Sequence, residues 1–332
     1  MTNPQRSKLL TLLFLICLIL FCFDLGIGSI NIPFKSVVAA LTGGDCPADE
    51  KTVIIKIRLI KGIVAILAGS ALSVSGMQMQ TLFRNPLAGP YVLGISSGAS
   101  LGVALFILAT PLFSIPDEIM QFGIAGAAWA GAAIILIIVG ILGQRIKDIM
   151  VILILGMMFS SGIGAIVQIL QYLSREDSLK SFVVWTMGSL GETTFSQLWI
   201  LTPAVISGFI IAVFAIKPLN LLLFGEEYAR TMGLNVRKSR NYLFISTTLL
   251  AGSITAFCGP IGFIGLAIPH IVKMTLKSAD HKILLPANII YGAGIMLVCD
   301  IISKIFLLPI NAITALIGIP IVIFVVINNY HR

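Results

Sequence analysis

Stretches of about 20 apolar residues alternate with polar stretches along most of the chain. A helix of that length crosses the hydrocarbon core of a bilayer, so each stretch predicts one membrane-spanning helix. The ten predicted spans are 9–29, 62–82, 92–112, 121–143, 149–172, 197–216, 241–258, 260–272, 283–303 and 309–329. The pattern therefore predicts an all-α polytopic membrane protein.

The seventh and eighth spans are separated by the motif CGPIGFIGLAIPH, in which Gly259 and Pro260 interrupt the helical pattern. The two spans together are too long for a single crossing. A break at membrane depth is tolerated only where it is buried in protein or lines a cavity. We therefore expect the protein to enclose this break.

The composition excludes a soluble protein with a large core. Of the 332 residues, 58% are apolar and 11% are charged, and the mean hydropathy is +1.04. Soluble domains carry about 25% charged residues. The net charge of +8 is scattered over the loops, which favours membrane topology over nucleic-acid binding. With no repeat and no soluble segment, we expect one transmembrane domain over 1–332.

The charge distribution predicts which side each loop occupies. If the N-terminus is cytoplasmic, 14 of the 22 Lys and Arg residues lie on the cytoplasmic side and eight lie outside. This bias predicts two cytoplasmic termini, although five of the outer bases crowd the stretch 35–61. The first apolar stretch lacks an A-x-A-like cleavage site, so we expect it to remain as a helix.

One polar segment, 217–240, is much longer than most of the other loops. Within it, EEYARTMG has acids first and Arg230 later, as the helix dipole favours, and Gly233 is placed to end a short helix. An ordinary cytoplasmic loop is the alternative. Long ordered loops are often functional, which favours a role for this one.

The motif TLFRNPLAGPYVLGISSGASLG contains Gly94, Gly98 and Gly102 at a spacing of four. Small residues at this spacing predict close helix packing in a membrane. The same letters match the G-x-S-x-G motif of serine hydrolases around Ser96. That motif requires a preceding strand, which is not predicted here, so the hydrolase remains only a rival hypothesis.

Several charged residues lie near the predicted outer ends of spans. Arg58 and Lys61 are three residues apart, and Lys304 follows Asp300 by four. Two interpretations of these bases stay open. Lys304 snorkels to the interface and pairs locally with Asp300, or the bases form a positive rim that receives acidic groups of an external protein.

Asp24 and Asp300 are also the candidates for an ion relay, which would make the chain an ion-coupled secondary transporter. Because both lie toward helix ends, this alternative is weakly supported. No G-x-x-x-x-G-K-[ST] motif occurs, so we expect no ATP hydrolysis by this chain. No Cys/His spacing of a metal site occurs either, and we expect no catalytic or metal-binding residues.

Nearly the whole chain resembles the FecCD/BtuC-type permease subunits of type II ABC importers, which take up iron–siderophore complexes, haem and vitamin B12. The resemblance is carried by several motifs in the family's order. They are IRLIKGIVAILAGSALSVSGMQMQTLFRNPLAGPYVLGISSGAS, FGEEYARTMGL, GPIGFIGLAIPH, HKILLPA and LPINAITALIGIPIVIF.

The resemblance implies an importer in a bacterial inner membrane, built as a homodimer with ten helices per subunit. Two cytoplasmic ATPase subunits would hold ATP and Mg²⁺, with no cofactor in this chain, and a substrate-binding protein would dock outside. Which chelate is carried stays open. The residues matching the family's ATPase-coupling helices are Gly225, Glu226, Glu227, Ala229, Arg230 and Gly233.

The resemblance also implies two further sets of site residues. Binding-protein docking is carried over to Arg58, Lys61 and Lys304, although the family's R-L-P-R reads Arg58-Leu59-Ile60-Lys61 here. Lysine can still pair with an acid but loses the bidentate geometry of arginine. The implied translocation path, with an inner gate at its first two residues, comprises Asp148, Met150, Gly156, Ser160, Ser161 and Gln168.

Overall fold

The computed structural model describes residues 3–28, 32–44, 46–109, 117–146 and 148–330, and every regular element within these ranges is a helix. The α-helices of the described ranges are α1 Asn3–Gly26, α2 Phe34–Thr42, α3 Ala48–Val53, α4 Leu59–Leu82, α5 Ile95–Ala109, α6 Asp117–Arg145, α7 Ile149–Tyr172, α8 Glu176–Thr186, α9 Phe195–Phe214, α10 Ile216–Leu222, α11 Glu226–Thr231, α12 Val236–Thr247, α13 Ser253–Cys258, α14 Ile264–Leu276, α15 His281–Phe306 and α16 Ile310–Tyr330. The predicted all-α fold is confirmed.

Each of the ten predicted spans coincides with a helix, and the main differences lie at helix starts. The second span was predicted from residue 62, but a π turn, Ile54–Arg58, joins α4 to α3 and carries the helix back to Ala48. The hydropathy pattern did not predict this extension because it contains charged side chains, although no Gly or Pro interrupts it. A second π turn, Thr248–Gly252, joins α12 to α13. Six described spans are long and apolar enough to cross a membrane.

α4 is the central helix, and every residue from 68 to 83 is buried. Several of its polar side chains are therefore bonded to neighbouring helices rather than to water. Ser73 Oγ donates to Asn288 Oδ1 of α15 at 2.8 Å, and Gln78 Nε2 donates to Ser246 Oγ of α12 at 2.9 Å. These bonds explain why a helix with several polar residues lies inside an apolar protein.

Glycines let α4 approach its neighbours at backbone distance. A Cβ atom at Gly76 would overlap the carbonyl oxygen of Gly265 in α14, and one at Gly69 would overlap that of Gly292 in α15. Small residues at such crossings allow the close packing on which helix association in membranes depends. The position of α4 therefore depends on the absence of these side chains.

The predicted packing of the 94–102 glycines is confirmed for the two that lie within α5. A Cβ atom at Gly98 would lie 2.5 Å from Gly131 O of α6, and one at Gly102 would overlap Ala127 O. Gly94 precedes the helix and has a φ of +77°, which glycine adopts without strain. The preceding residues form a 3₁₀ turn rather than a strand, so Ser96 lacks the strand that a hydrolase requires.

The break between α13 and α14 is enclosed by the protein, as predicted. Gly259 has a φ of +73° and is buried, and polar groups from three distant segments bond to the broken backbone. The bonds are Ser189 N–H to Cys258 O at 2.8 Å, Tyr91 O–H to Ile261 O at 2.6 Å, and Gly262 N–H to Asn311 Oδ1 at 3.0 Å.

We predict that Gly76→Ala lowers the thermal unfolding midpoint of the detergent-purified protein. The added methyl group would force α4 and α14 apart, and overpacking of this kind costs about 1–3 kcal/mol. Gly126→Ala in α6 is the matched control, because a Cβ atom there meets no other atom within 4 Å. Equal midpoints for the two variants would contradict the assigned role of Gly76.

Candidate functional site

The polar segment 217–240 folds into α10, α11 and the start of α12, which confirms the short helix predicted near residues 225–233. Gly225 precedes α11 with a φ of +103°, and Gly233 follows it with a φ of +83°. At its end, Gly233 N–H donates to Arg230 O at 3.0 Å and Leu234 N–H donates to Ala229 O at 2.9 Å. This is the Schellman pattern expected of a C′ glycine.

One face of α11 and the preceding turn exposes large apolar side chains. Phe224, Tyr228 and Met232 are 68%, 50% and 58% exposed, whereas Ala229 is fully buried against the protein. Adjacent exposed apolar groups on a polar segment indicate a contact surface for another molecule. The coupling residues predicted from the sequence do not include these three, although their spacing of four places them on one side of a helix.

Among the predicted coupling residues, Glu226 is the one whose side chain is held most firmly. Its carboxylate pairs with Arg240 of α12, with Nε to Oε1 at 2.7 Å and a second contact from the terminal nitrogen. Arg230, half exposed, lies 3.7 Å from the same carboxylate. Glu227 is exposed. Arg240 was not among the predicted site residues, because burial of an arginine is not visible in a sequence.

A cavity of about 600 Å³ brings the coupling residues next to the predicted inner gate. Asp148 lies at this cavity and caps α7, accepting a 2.8 Å hydrogen bond from Met150 N–H. The cavity is lined by Phe83, Arg84, Asp148, Ile149, Met150, Glu226, Glu227 and Arg230. Residues far apart in sequence therefore share one charged cavity at this end of the bundle.

The remaining residues predicted for the path lie on different faces of α7. Gly156 is buried, and a Cβ atom there would overlap Val92 O, so Gly156 packs against the turn before α5. Ser161 and Gln168 are exposed, and Ser160 is half-buried with its hydroxyl donating to Gly156 O. The pathway role of these residues stays a prediction.

Comparison with known proteins identifies the family. The model of the FecCD transport family matches residues 16–328. The chain belongs to the FecCD transport family. It is 35% identical over 280 residues to the hemin transport system permease protein of Yersinia pestis, covering 83% of each chain. It is 34% identical over 278 residues to the vitamin B12 import system permease protein of Salmonella typhi, covering 82% of this chain and 83% of that one.

A solved structure agrees with this assignment. It is described as an inward-facing conformation of a metal-chelate type ABC transporter, and it matches with a TM-score of 0.82 at 30% identity. The match covers 95% of this chain and 97% of the other. This FecCD family member therefore has the type II importer permease fold, as predicted, and is a multi-pass transport permease.

In this FecCD family member, the bases predicted to form a binding-protein rim are mostly buried. Arg58 is 5% exposed and donates to the carbonyl oxygens of Leu25 at 3.0 Å and Gly26 at 2.7 Å. The Lys304 side chain is 7% exposed. Both side chains therefore make contacts within the chain. Docking stays a prediction that their burial does not support.

Lys61 and Lys304 belong to an ion cluster with Asp24 and Asp300, which ties together α1, α4 and α15. Lys304 Nζ lies 2.7 Å from Asp24 Oδ1 and 2.8 Å from Asp300 Oδ2, and Lys61 Nζ lies 3.0 Å from Asp300 Oδ1. The predicted Lys304–Asp300 pair is thus confirmed. Both acids are fully buried although they lie toward helix ends, and a buried carboxylate needs paired charges of this kind.

A second polar network lies at the opposite end of α4 and fixes α10. Asn220 donates from Nδ2 to Asp280 Oδ1 at 2.8 Å, and its oxygen accepts from His281 N–H at 2.9 Å. His281 Nε2 lies 2.9 Å from Thr81 Oγ1 of α4. Hydrogen bonds from Lys282 N–H and then Asn220 lower the pKa of the Asp280 carboxyl below its ordinary value. The segment before α11 is thereby bonded to the central helices.

Within the described parts of the chain, His, Cys, Asp and Glu side chains form no group of three that could hold a metal ion. The expected absence of a cofactor stays an expectation.

We predict that Asp300→Ala strongly destabilises the protein, because two lysines lose a buried carboxylate partner. Breaking a buried ion pair from one side costs about 3–5 kcal/mol. The thermal unfolding midpoint in detergent should fall accordingly. Asp177→Asn is the control, since Asp177 is exposed at the start of α8 and should change the midpoint little. Equal midpoints for both variants would rule out a stabilising ion cluster.

Proposed function

We propose that the chain is the permease subunit of an ATP-driven importer that passes a metal chelate from a binding protein to the cytoplasm. The observation that carries this proposal is α11, a short helix with exposed apolar side chains placed beside a charged cavity in a FecCD family member. Two relatives are named for hemin and vitamin B12, which are both bulky metal chelates, and an iron–siderophore complex is a third cargo of this class.

Two cytoplasmic ABC ATPase subunits, which hold ATP and Mg²⁺, are the proposed partners of α11. Phe224, Tyr228 and Met232 would enter a cleft of the ATPase, because their burial there removes apolar surface from water. This places the end of the bundle that carries Arg240 in the cytoplasm, together with both termini. The distribution of Lys and Arg supports that orientation in a bacterial inner membrane.

A second copy of the chain is the proposed partner of α7. Ser161 and Gln168 are exposed on a mostly apolar helix. A polar side chain that faces lipid lacks hydrogen-bond partners other than those within its own helix. A homodimer in which these faces enclose the translocation path would remove them from lipid, with the whole chain, 1–332, serving as one transmembrane domain.

An ion-coupled secondary transporter is the rival function, and the geometry does not favour it. Its candidate acids, Asp24 and Asp300, are already paired with Lys61 and Lys304. A relay would need a carboxylate that can exchange its partner for the transported ion.

We predict that Gly233→Val uncouples transport while leaving membrane insertion intact. A non-glycine residue at positive φ costs about 1–2 kcal/mol, so the end of α11 should refold and lose its fit to the ATPase. In proteoliposomes that contain the permease, its ATPase partner and its binding protein, ATP-dependent uptake of hemin, cobalamin or an iron–siderophore complex should fall about tenfold.

The control is Gly140→Val in α6, where a Cβ atom meets nothing within 4 Å. Its uptake should match that of the unaltered protein. Unchanged uptake by Gly233→Val would refute the coupling role of α11. Uptake driven by a proton gradient without the ATPase would refute the proposed function and favour the rival.

A further inference from the structure

Arg240 joins two parts of the candidate site that are distant in sequence. It lies in α12, and its side chain is 5% exposed. The N–H groups of a buried guanidinium require hydrogen-bond acceptors. Two of its nitrogens contact the Glu226 carboxylate, and Nη1 donates to Ile146 O at 3.1 Å. The planar fork of arginine can make both contacts at once.

The two contacts end at functionally distinct elements. Glu226 is the first residue of α11, the proposed coupling helix. Ile146 follows the end of α6 and lies two residues before Asp148, which caps α7. The connected residues Glu226, Arg240 and Ile146, which we call the Arg240 link, therefore run from the coupling helix to the residue that follows α6, two residues before Asp148 at the predicted gate.

Direct packing between α11 and α7 is incomplete. α11 packs on α10 and α12, and the cavity of about 600 Å³ lies between its charged residues and the start of α7. A displacement of α11 therefore reaches the start of α7 less through direct packing than through bonds made by other residues. The Arg240 link is such a connection, and it is buried, so water does not compete strongly for it.

We propose that Arg240 transmits movement of α11 to the start of α7. When the ATPase displaces α11, the Glu226 carboxylate draws the guanidinium with it, and the bond to Ile146 O moves the end of α6, which the chain joins to Asp148 two residues later. This inference rests on the proposed function, because the ATPase supplies the displacement. Arg240 acts here as a positioning residue and is not required to touch the substrate.

The decisive variant is Arg240→Lys. Lysine keeps the positive charge and can pair with Glu226, but its single ammonium group cannot reproduce the fork that reaches Ile146 O as well. We therefore expect normal folding and normal association with the ATPase. Hemin uptake per ATP hydrolysed should fall at least about fivefold. Lys238→Gln is the matched control, since Lys238 is exposed on the same helix.

A double-mutant cycle tests whether Glu226 and Arg240 act together. If they form one link, Glu226→Ala, Arg240→Ala and the double variant should lose uptake per ATP to the same extent. Additive losses would show that the two residues act separately and would overturn the inference.

Hydrogen exchange provides a readout that does not depend on uptake. In the purified permease–ATPase complex, a non-hydrolysable ATP analogue should change the exchange of amides next to Ile146 and Asp148. The change should persist in Lys238→Gln and disappear in Arg240→Lys.

The results separate this inference from the proposed function. If the unaltered protein takes up hemin with ATP, but Arg240→Lys keeps the same uptake per ATP and the same exchange response, transmission through Arg240 is refuted. A parallel loss of ATPase association in Arg240→Lys also refutes it, because the residue would then only support local folding. Failure of the unaltered complex to use ATP for uptake of any chelate refutes the proposed function itself.

Discussion

The backbone contact between α4 and its neighbours is the constraint on which the rest of the structure depends. Gly76 meets the backbone of Gly265, and Gly69 meets that of Gly292, with no room for a side chain at either crossing. Lipid tails are as apolar as leucine, so helices in a membrane gain little from the hydrophobic effect when they associate. Close van der Waals contact and hydrogen bonds provide the attraction instead, and both require this approach.

Once α4 is central, its polar groups and both of its ends are constrained. Lys61 pairs with Asp300 near the first end, and Thr81 contacts His281 at the last. Both partners lie on α15, so two polar contacts at opposite ends hold the same pair of helices. A pair fixed in this way resists rotation and sliding, and it provides a rigid frame against which other elements can move.

The elements of the candidate site are attached to that frame by fewer contacts. α11 is bounded by two glycines at positive φ and is held by Glu226 through Arg240. A cavity rather than a packed interface separates it from Asp148. A small helix that ends in a Schellman motif and is held by a buried ion pair can shift as a unit while the central helices keep their packing, as the proposed coupling to a partner subunit requires.

The sequence by itself determined the ten spans, the short helix of the polar segment and the buried break at Gly259, because each follows from local properties. Apolar length sets a span, and glycine sets a positive φ. Only the tertiary structure decided which charges are buried. Arg58 and Lys304 resembled rim residues, yet they bond inside the protein, and Arg240 looked like one loop base among several. The partner of a charged group depends on which distant residue packs against it, and the spacing of residues in a sequence does not carry that information.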